Sequence, residues 1–227
     1  MIQELTWDTH VSGRKTGRLI EVTTDALLAE LLSSARNEHY QYLTCRITEI
    51  RAVQLLEKHG FYMTDIGIVW ERNAEVFSEP EIHAREGSPD DIPIIRKIAA
   101  GLFRDSRFYN DPFFSAEDAD KIYMAWVENS LTGFADRVLL IEDKGFVTCK
   151  KSGDTGDIPL IGVVGSYQGR GIGTSLILNA LRWFKNERVT NVTVRTQAMN
   201  SQAVNFYEQQ GFRIKSLDVT MGRILDS

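Results

Sequence analysis

The hydrophobic pattern is most regular in the last third of the chain, where an apolar run leads into a glycine-rich turn. Residues 158–164 carry no polar side chain, residues 168–173 read Gln-Gly-Arg-Gly-Ile-Gly, and residues 174–184 place apolar side chains at helical spacing. This order predicts a strand, a turn and a helix. A glycine turn at a helix start leaves backbone N–H groups free and lets an anion approach closely. The segment therefore predicts a site for a phosphate-bearing ligand.

Two common phosphate-binding motifs do not fit this turn. A dinucleotide-binding fingerprint needs the spacing G-x-G-x-x-G and an acidic residue about 20 positions later. Here the glycines follow G-x-G-x-G, and residues 189–194 contain no acid. A P-loop needs a lysine directly after the last glycine, but Thr174 and Ser175 follow Gly173. By itself, the turn is equally compatible with an ordinary loop.

A second strand and helix follow the turn. Residues 191–196 alternate in a way that predicts a buried strand, and residues 200–212 read Asn-Ser-Gln-Ala-Val-Asn-Phe-Tyr-Glu-Gln-Gln-Gly-Phe. Their apolar side chains follow helical spacing, Asn200 or Ser201 suits the helix N-cap, and Gly211 suits its end. Together the segments resemble the GNAT N-acetyltransferases, whose signature is Q/R-x-x-G-x-G/A followed by N-x-x-A-x-x-F-Y-x-x-x-G-F.

The order of elements before the turn agrees with this resemblance. Residues 92–102 and 116–130 predict helices, and residues 137–142, 146–151 and 157–164 predict strands. The resemblance implies an α/β (α+β) fold, the GNAT acetyltransferase fold, with a mixed, mostly antiparallel central sheet.

The resemblance also implies acetyl-CoA as the co-substrate, held largely by backbone amides of the glycine turn. Arg170 could instead be a solvated surface residue, and Asn200 could be only a helix cap. The residues expected to contact the cofactor are Val163, Val164, Gly165, Gln168, Gly169, Arg170, Gly171, Ile172, Gly173, Thr174 and Asn200.

Tyr207 is the expected general acid, since the family pattern places this tyrosine near the sulfur of the thioester and a phenol can protonate a departing thiolate. The alternative is a buried aromatic on an amphipathic helix. The residue pattern does not identify a general base. Asp105, Glu142 and Asp157 could serve, and each could equally be an ordinary surface acid.

The first half of the chain contains a faint copy of the second. Residues 52–61 align with residues 203–212 at a constant offset (203 − 52 = 151). The copy lacks the glycine turn and has Leu56 where the second has Tyr207, so we expect it to bind no coenzyme A. A polar stretch over residues 73–91 separates the halves. We therefore predict a partial GNAT-like N-terminal domain over residues 1–80 and a catalytic GNAT domain over residues 81–227.

Nearly the full length of the chain is similar to the nucleotide-sugar members of the family, at residues 5–7, 91–93, 106–108 and 126–129. This similarity implies a small-molecule acceptor, the amine of a TDP-linked 4-amino-4,6-dideoxy sugar, and a homodimer. The residues expected to bind the acceptor are Ser106, Arg107 and Phe108. A peptide N-terminus, a polyamine or an antibiotic amine as acceptor stays open, as does a non-catalytic acyl-CoA sensor.

Composition excludes other kinds of function. With 26 Lys and Arg against 31 Asp and Glu, the net charge is −5, which argues against general nucleic-acid binding. Cys45 and Cys149 predict buried apolar positions rather than a disulfide, and the four scattered histidines predict no metal site. No apolar run approaches membrane-spanning length, and the N-terminus lacks a signal-peptide pattern, so we expect a cytoplasmic protein.

Overall fold

The computed structural model describes residues 1–75 and 77–225, and within them eleven strands and eight α-helices. The strands are β1 Ile2–Glu4, β2 Thr16–Leu19, β3 Tyr42–Ile47, β4 Tyr62–Asn73, β5 Arg85–Glu86, β6 Arg137–Ile141, β7 Gly145–Ser152, β8 Thr155–Ile158, β9 Ile161–Val163, β10 Asn191–Gln197 and β11 Arg213–Ile224. The helices are α1 Thr6–Ser12, α2 Asp25–Asn37, α3 Ile50–Lys58, α4 Ile92–Ala99, α5 Arg107–Asn110, α6 Ala116–Asn129, α7 Ile172–Asn186 and α8 Ser201–Gln209.

All eleven strands form one sheet in the order β1-β2-β3-β11-β4-β10-β8-β7-β6-β5, with β9 paired to β7. The β2–β3 and β8–β10 pairs are parallel, and the other described pairs are antiparallel. The prediction of a mixed, mostly antiparallel central sheet is confirmed. The predicted strand over 157–164 was wrong in one respect, because it is divided into β8 and β9.

The internal repeat is visible in the element bounds. α8 begins 201 − 50 = 151 residues after α3, and β11 begins 213 − 62 = 151 residues after β4. The two helices have equal lengths, as do the two strands, and each helix is followed by a glycine with positive φ, Gly60 (76°) and Gly211 (75°). We call the parts of the chain before and after residue 80 the N-terminal and C-terminal repeat units. β4 is the last strand of the first unit and pairs with β10 of the second, and β11 is the last strand of the second unit and pairs with β3 of the first. Strands from both sides of the predicted boundary at residue 80 thus belong to one sheet.

The two faces of the sheet are covered by different helices. Leu139 and Val147 pack with α7 and α8, whereas their neighbours Leu140 and Phe146 pack with α4, α5 and α6. Because side chains alternate along a strand, these helix groups lie on opposite faces. α2 and α3 cover Leu43 and the rest of the N-terminal part of the sheet. The face that carries α4, α5 and α6 also carries the charged side chains of the central strands, as the site geometry shows.

Candidate active site

The sheet opens between β9 and β10. β8 pairs with β10 as far as Ile158, opposite Val194, and then the chain leaves the ladder. Pro159 has no N–H to donate, and the Leu160 N–H donates to the Thr148 hydroxyl at 3.0 Å, away from β10. When the strand resumes as β9, it pairs with β7. The end of β10 is left without a neighbour on that side, and a cavity of about 1200 Å³ occupies the opening.

The glycine turn presents a row of free backbone donors at one side of this cavity. The backbone N–H groups of residues 169–174 have no backbone acceptor among the described residues, and the first hydrogen bond of the helix runs from Ser175 N to Gly171 O at 2.9 Å. Gly169 and Gly171 have φ of 70° and 77°, which glycine adopts without strain. A Cβ on either would meet nothing within 4 Å, so the space in front of the turn is open. Such a row of donors at a helix N-terminus is suited to phosphate oxygens.

The turn is held in place by contacts to its neighbours. The Gln168 side-chain amide donates to Val163 O at 3.1 Å and accepts from the Gln202 amide at 2.9 Å. A Cβ on Gly173 would lie 3.1 Å from the Phe206 ring, so glycine is what allows α7 and α8 to approach so closely here. The predicted cofactor segment is thus rigidly attached to both β9 and α8.

The backbone of β9 also offers a donor toward the opening. The Val164 N–H is already used, because it donates to Lys144 O at 2.9 Å. Since N–H directions alternate along an antiparallel pair, the N–H of Val163 points to the other side, where β9 has no strand neighbour.

The predicted cofactor residues divide into two groups. The cavity is lined by Val163, Gln168, Gly169, Gly171, Gly173, Thr174 and Asn200, and not by Val164, Gly165, Arg170 or Ile172. Ile172 is the first residue of α7, and its side chain is buried in the core. The Arg170 guanidinium lies over the Tyr167 ring at 5.7 Å. Asn200 is the N-cap of α8, where its side-chain oxygen accepts from Ala203 N at 2.9 Å.

Tyr207 lies on α8 with its ring in the core and reaches the cavity at its tip. The residue is 4% exposed and packs against Trp70, Phe206 and Phe212. Its hydroxyl has no hydrogen-bond partner among the described residues, although the residue lines the cavity. Burial, and then the charge of Asp157, raises the pKa of Tyr207 well above its ordinary value. The phenol is therefore held in its protonated form.

Of the three acids considered as general base, only Asp157 lines the cavity among the described residues. It lies on β8, immediately before the break in the strand, and accepts a hydrogen bond from the Thr193 hydroxyl at 3.1 Å. Asp157 keeps contact with solvent, and partial desolvation by the surrounding protein raises its pKa above its ordinary value, against the opposing effects of the Thr193 hydrogen bond and the Lys150 charge.

The three predicted acceptor residues lie at the start of α5, opposite the glycine turn. Arg107 and Phe108 line the cavity and Ser106 does not. Phe108 is 4% exposed and packs on Phe114 and Tyr123, so most of its ring is covered by protein. Arg107 lies 4.0 Å over the Phe108 ring and 3.3 Å from the Asp8 carboxylate.

The position of α5 is fixed by a buried carboxylate. Asp111 directly follows α5, is 1% exposed, and accepts hydrogen bonds from the hydroxyls of Tyr42 and Tyr62, the latter at 2.9 Å. These tyrosines lie on β3 and β4, so Asp111 ties the Arg107 segment to the N-terminal strands.

Three further arginines line the cavity: Arg18, Arg46 and Arg195. None of them was predicted from the sequence as a site residue. Arg195 crosses β4 at Gly67, where a Cβ would collide with the guanidinium, and reaches Asp218 at 2.6 Å and Asp65 at 3.0 Å. The sequence signal that could have identified them is one arginine within each of three strands, flanked in the sequence by mostly apolar residues.

The described residues contain neither a candidate metal cluster nor a candidate membrane-spanning helix. Within residues 1–75 and 77–225, no group of three or more His, Cys, Asp or Glu side chains is placed to hold a metal ion. No helix in this part of the chain has both the length and the apolar character needed to cross a membrane.

Comparison with known proteins relates this geometry to a family. Residues 93–212 match the Acetyltransferase (GNAT) family. The chain is 26% identical over 223 residues to the dTDP-fucosamine acetyltransferase of Escherichia coli O6:H1, covering 95% of this chain and 94% of that protein. It is 29% identical over 128 residues to the spore coat polysaccharide biosynthesis protein SpsD of Bacillus subtilis, covering 55% and 44% of the two proteins.

A solved structure supports the fold. A tandem GNAT protein from the clavulanic acid biosynthesis pathway matches with a TM-score of 0.64 at 14% identity, over 93% of this chain and 76% of that one. The family match includes the glycine turn, Tyr207 and the helix that carries it. The chain therefore belongs to the GNAT acetyltransferase family and is an N-acetyltransferase.

Proposed function

We propose that the protein transfers the acetyl group of acetyl-CoA to the amine of a TDP-linked 4-amino-4,6-dideoxy sugar. The observation that carries this proposal is that one and the same cavity joins the free amides of the glycine turn and Tyr207 to a set of arginines on the opposite wall. The first group suits a pyrophosphate-bearing thioester, and the second suits an anionic acceptor. Similarity to the dTDP-fucosamine acetyltransferase along nearly the full chain supports the same acceptor class.

The residues present fit coenzyme A. The free N–H groups of residues 169–174 would hold its pyrophosphate, and the open space at Gly169 and Gly171 leaves room for it. The Val163 N–H would donate to the carbonyl oxygen of the acetyl group, where negative charge develops. When bound, acetyl-CoA supplies an activated thioester carbonyl and a thiolate leaving group.

Two side chains would move the protons. Tyr207, held protonated by burial, would donate its phenolic proton to the departing sulfur. The second proton that the attacking nitrogen loses as the amide forms would reprotonate Tyr207, directly or through water. Asp157 would accept a proton from the acceptor ammonium, directly or through a water molecule, so that the amine can attack. A carboxylate whose pKa is raised toward neutrality is a better proton acceptor than an ordinary surface carboxylate. In this proposal the two groups would approach the reacting atoms from α8 and from the end of β8.

The direct test is incubation of the full chain with acetyl-CoA and a TDP-4-amino-4,6-dideoxy sugar. We expect release of free coenzyme A together with an acceptor product heavier by one acetyl group, measured by mass spectrometry. A peptide N-terminus, spermidine and an aminoglycoside serve as competing acceptors. Preferential acetylation of one of these would contradict the proposed acceptor, and acetyl-CoA binding without transfer to any amine would favour the acyl-CoA sensor. The cytoplasmic location and the homodimer stay predictions.

A further inference from the structure

Arg18, Arg46 and Arg107 bring three guanidinium groups from distant parts of the chain to one wall of the cavity. Arg18 lies on β2, Arg46 on the adjacent strand β3, and Arg107 at the start of α5. All three lie on the face of the sheet opposite to α7, whose N-terminus carries the glycine turn. Two of the three belong to the N-terminal repeat unit, which lacks a glycine turn of its own.

The carboxylates nearby do not neutralise these arginines. Arg195 takes both oxygens of Asp218 and one of Asp65, and Arg46 shares Asp218 only at 3.7 Å. Arg107 pairs with Asp8 at 3.3 Å. Arg18 forms no ion pair or side-chain hydrogen bond with any described residue. Within this cluster four arginines thus face three aspartates, and Arg18 is the arginine without an ion pair. Asp157, a further aspartate of the cavity lining, lies outside the cluster and accepts from the Thr193 hydroxyl instead.

This arrangement is unfavourable in the absence of an anion. Burial, and then the charge of Arg107, lowers the pKa of Arg18, and the charge of Asp8 opposes this effect only in part. Burial, followed by Arg195 and opposed by Asp218, lowers the pKa of Arg46 to about 10, and Arg18 and Arg107 add to that effect. Each arginine therefore repels another, and this repulsion does not contribute to the stability of the fold. Convergent guanidinium groups that outnumber their carboxylate partners are an arrangement suited to phosphate recognition.

The wall beside the arginines is aromatic. Trp7 and Trp126 both line the cavity, with ring centroids 6.2 Å apart in an edge-to-face arrangement. Trp7 immediately precedes Asp8, the partner of Arg107, so the aromatic surface adjoins the charged one. An anionic ligand with a flat apolar portion would contact both.

We infer that Arg18, Arg46 and Arg107 bind the diphosphate of a nucleoside-diphosphate acceptor, so that the N-terminal unit recognises the acceptor while the C-terminal unit binds the acetyl donor. The inference rests on the proposed function, of which it specifies the acceptor subsite. Coenzyme A also carries phosphates, including one on its ribose. The test must therefore distinguish acceptor diphosphate from coenzyme phosphate.

The experiment is calorimetric titration of the full chain with TDP and, separately, with acetyl-CoA. The variants are Arg18→Gln and Arg46→Gln, and Arg51→Gln is the matched control because Arg51 is an exposed arginine of α3 outside the cavity. Each cavity variant loses the hydrogen bonds of one charged group to the diphosphate. We therefore expect each variant to bind TDP roughly 10- to 100-fold more weakly than the parent. Acetyl-CoA affinity should stay unchanged, and Arg51→Gln should bind both ligands like the parent.

Thermal unfolding without ligand separates recognition from a structural role. Because Arg18 has no described partner, Arg18→Gln should leave the melting temperature unchanged or raise it. If that variant does not fold, Arg18→Lys keeps the charge without the planar fork and should bind TDP more weakly than the parent. Parent-like TDP affinity in the folded Arg18 and Arg46 variants would overturn the inference, as would loss of acetyl-CoA affinity alone.

Failure of the subsite can be distinguished from failure of the proposed function. Acetylation of a TDP-amino sugar with the same KM in the arginine variants as in the parent would keep the function and reject the subsite. TDP binding that depends on Arg18 and Arg46, without acetylation of any TDP-amino sugar, would keep the subsite and reject the function.

Discussion

At the scale of single residues, the hydroxyl of Tyr207 can be separated from its ring. The ring packs on Trp70, Phe206 and Phe212, while the hydroxyl has no hydrogen-bond partner among the described residues. Tyr207→Phe should therefore keep the fold and the acetyl-CoA affinity and lower kcat by roughly 10²- to 10⁴-fold. Tyr40→Phe is the control, since Tyr40 is also buried but lies in the N-terminal core. A kcat within a few-fold of the parent at every pH would make Tyr207 a packing residue only.

Asp157 should determine the acidic side of the pH profile. Its pKa is raised in the folded protein, so lowering the pH protonates it earlier than an ordinary aspartate, and the proton acceptor is lost. Asp157→Asn should lower kcat/KM near neutral pH and remove this acidic limb, measured by coenzyme A release over a pH series. Asp154→Asn, an exposed aspartate just before β8, should change neither. An unchanged acidic limb in the Asp157 variant would assign the base to another group.

At the scale of elements, local signals were predictable and pairings were not. The glycine turn and the Asn200 cap follow from a few neighbouring residues, and the structure has them where they were predicted. The break between β8 and β9 depends on where the Leu160 N–H finds its acceptor on β7, which the apolar run does not reveal. Each repeat unit's last strand pairs with a strand of the other unit, and no local pattern specifies this. The paired residues are 118 to 130 positions apart for β4 with β10 (191 − 73 and 197 − 67) and 172 to 182 apart for β11 with β3 (219 − 47 and 224 − 42).

The same limit explains why the arginine wall was missed. In sequence, Arg18 and Arg46 are isolated charges in otherwise apolar strands, and only the parallel pairing of β2 with β3 brings those strands together. Arg107 was predicted as an acceptor residue from resemblance, and the structure adds the strand arginines beside it. Arg107 alone was predicted to bind the acceptor. The candidate subsite of three arginines is recognisable only from the strand pairing, which sets Arg18 and Arg46 beside it.

At the scale of the whole molecule, the two repeat units share a helix and a following strand of equal lengths at an offset of 151 residues, and they differ in their binding groups. The N-terminus of α2 is capped by Thr24, whose hydroxyl accepts from Leu27 N at 3.2 Å, and Asp25 adds a negative charge there. The N-terminus of α7 has no such cap and no acid in its first turn. Leu56, at the position of Tyr207, is fully buried and carries no proton to donate. An anion would therefore be repelled at α2 and attracted at α7.

We accordingly expect one acetyl-CoA site per chain, measured by calorimetric titration of the 227-residue chain. Gly171→Asp should remove it, because the new carboxylate would stand before the free amides and repel the pyrophosphate. Gly153→Asp is the matched control: Gly153 also has positive φ, at 60°, and a Cβ there meets nothing within 4 Å, but it lies in the β7–β8 turn. That variant bears the same backbone strain and should bind acetyl-CoA like the parent. Two sites per chain, or a site that survives Gly171→Asp, would show that the N-terminal unit still binds the coenzyme, and the division of donor and acceptor between the units would be wrong.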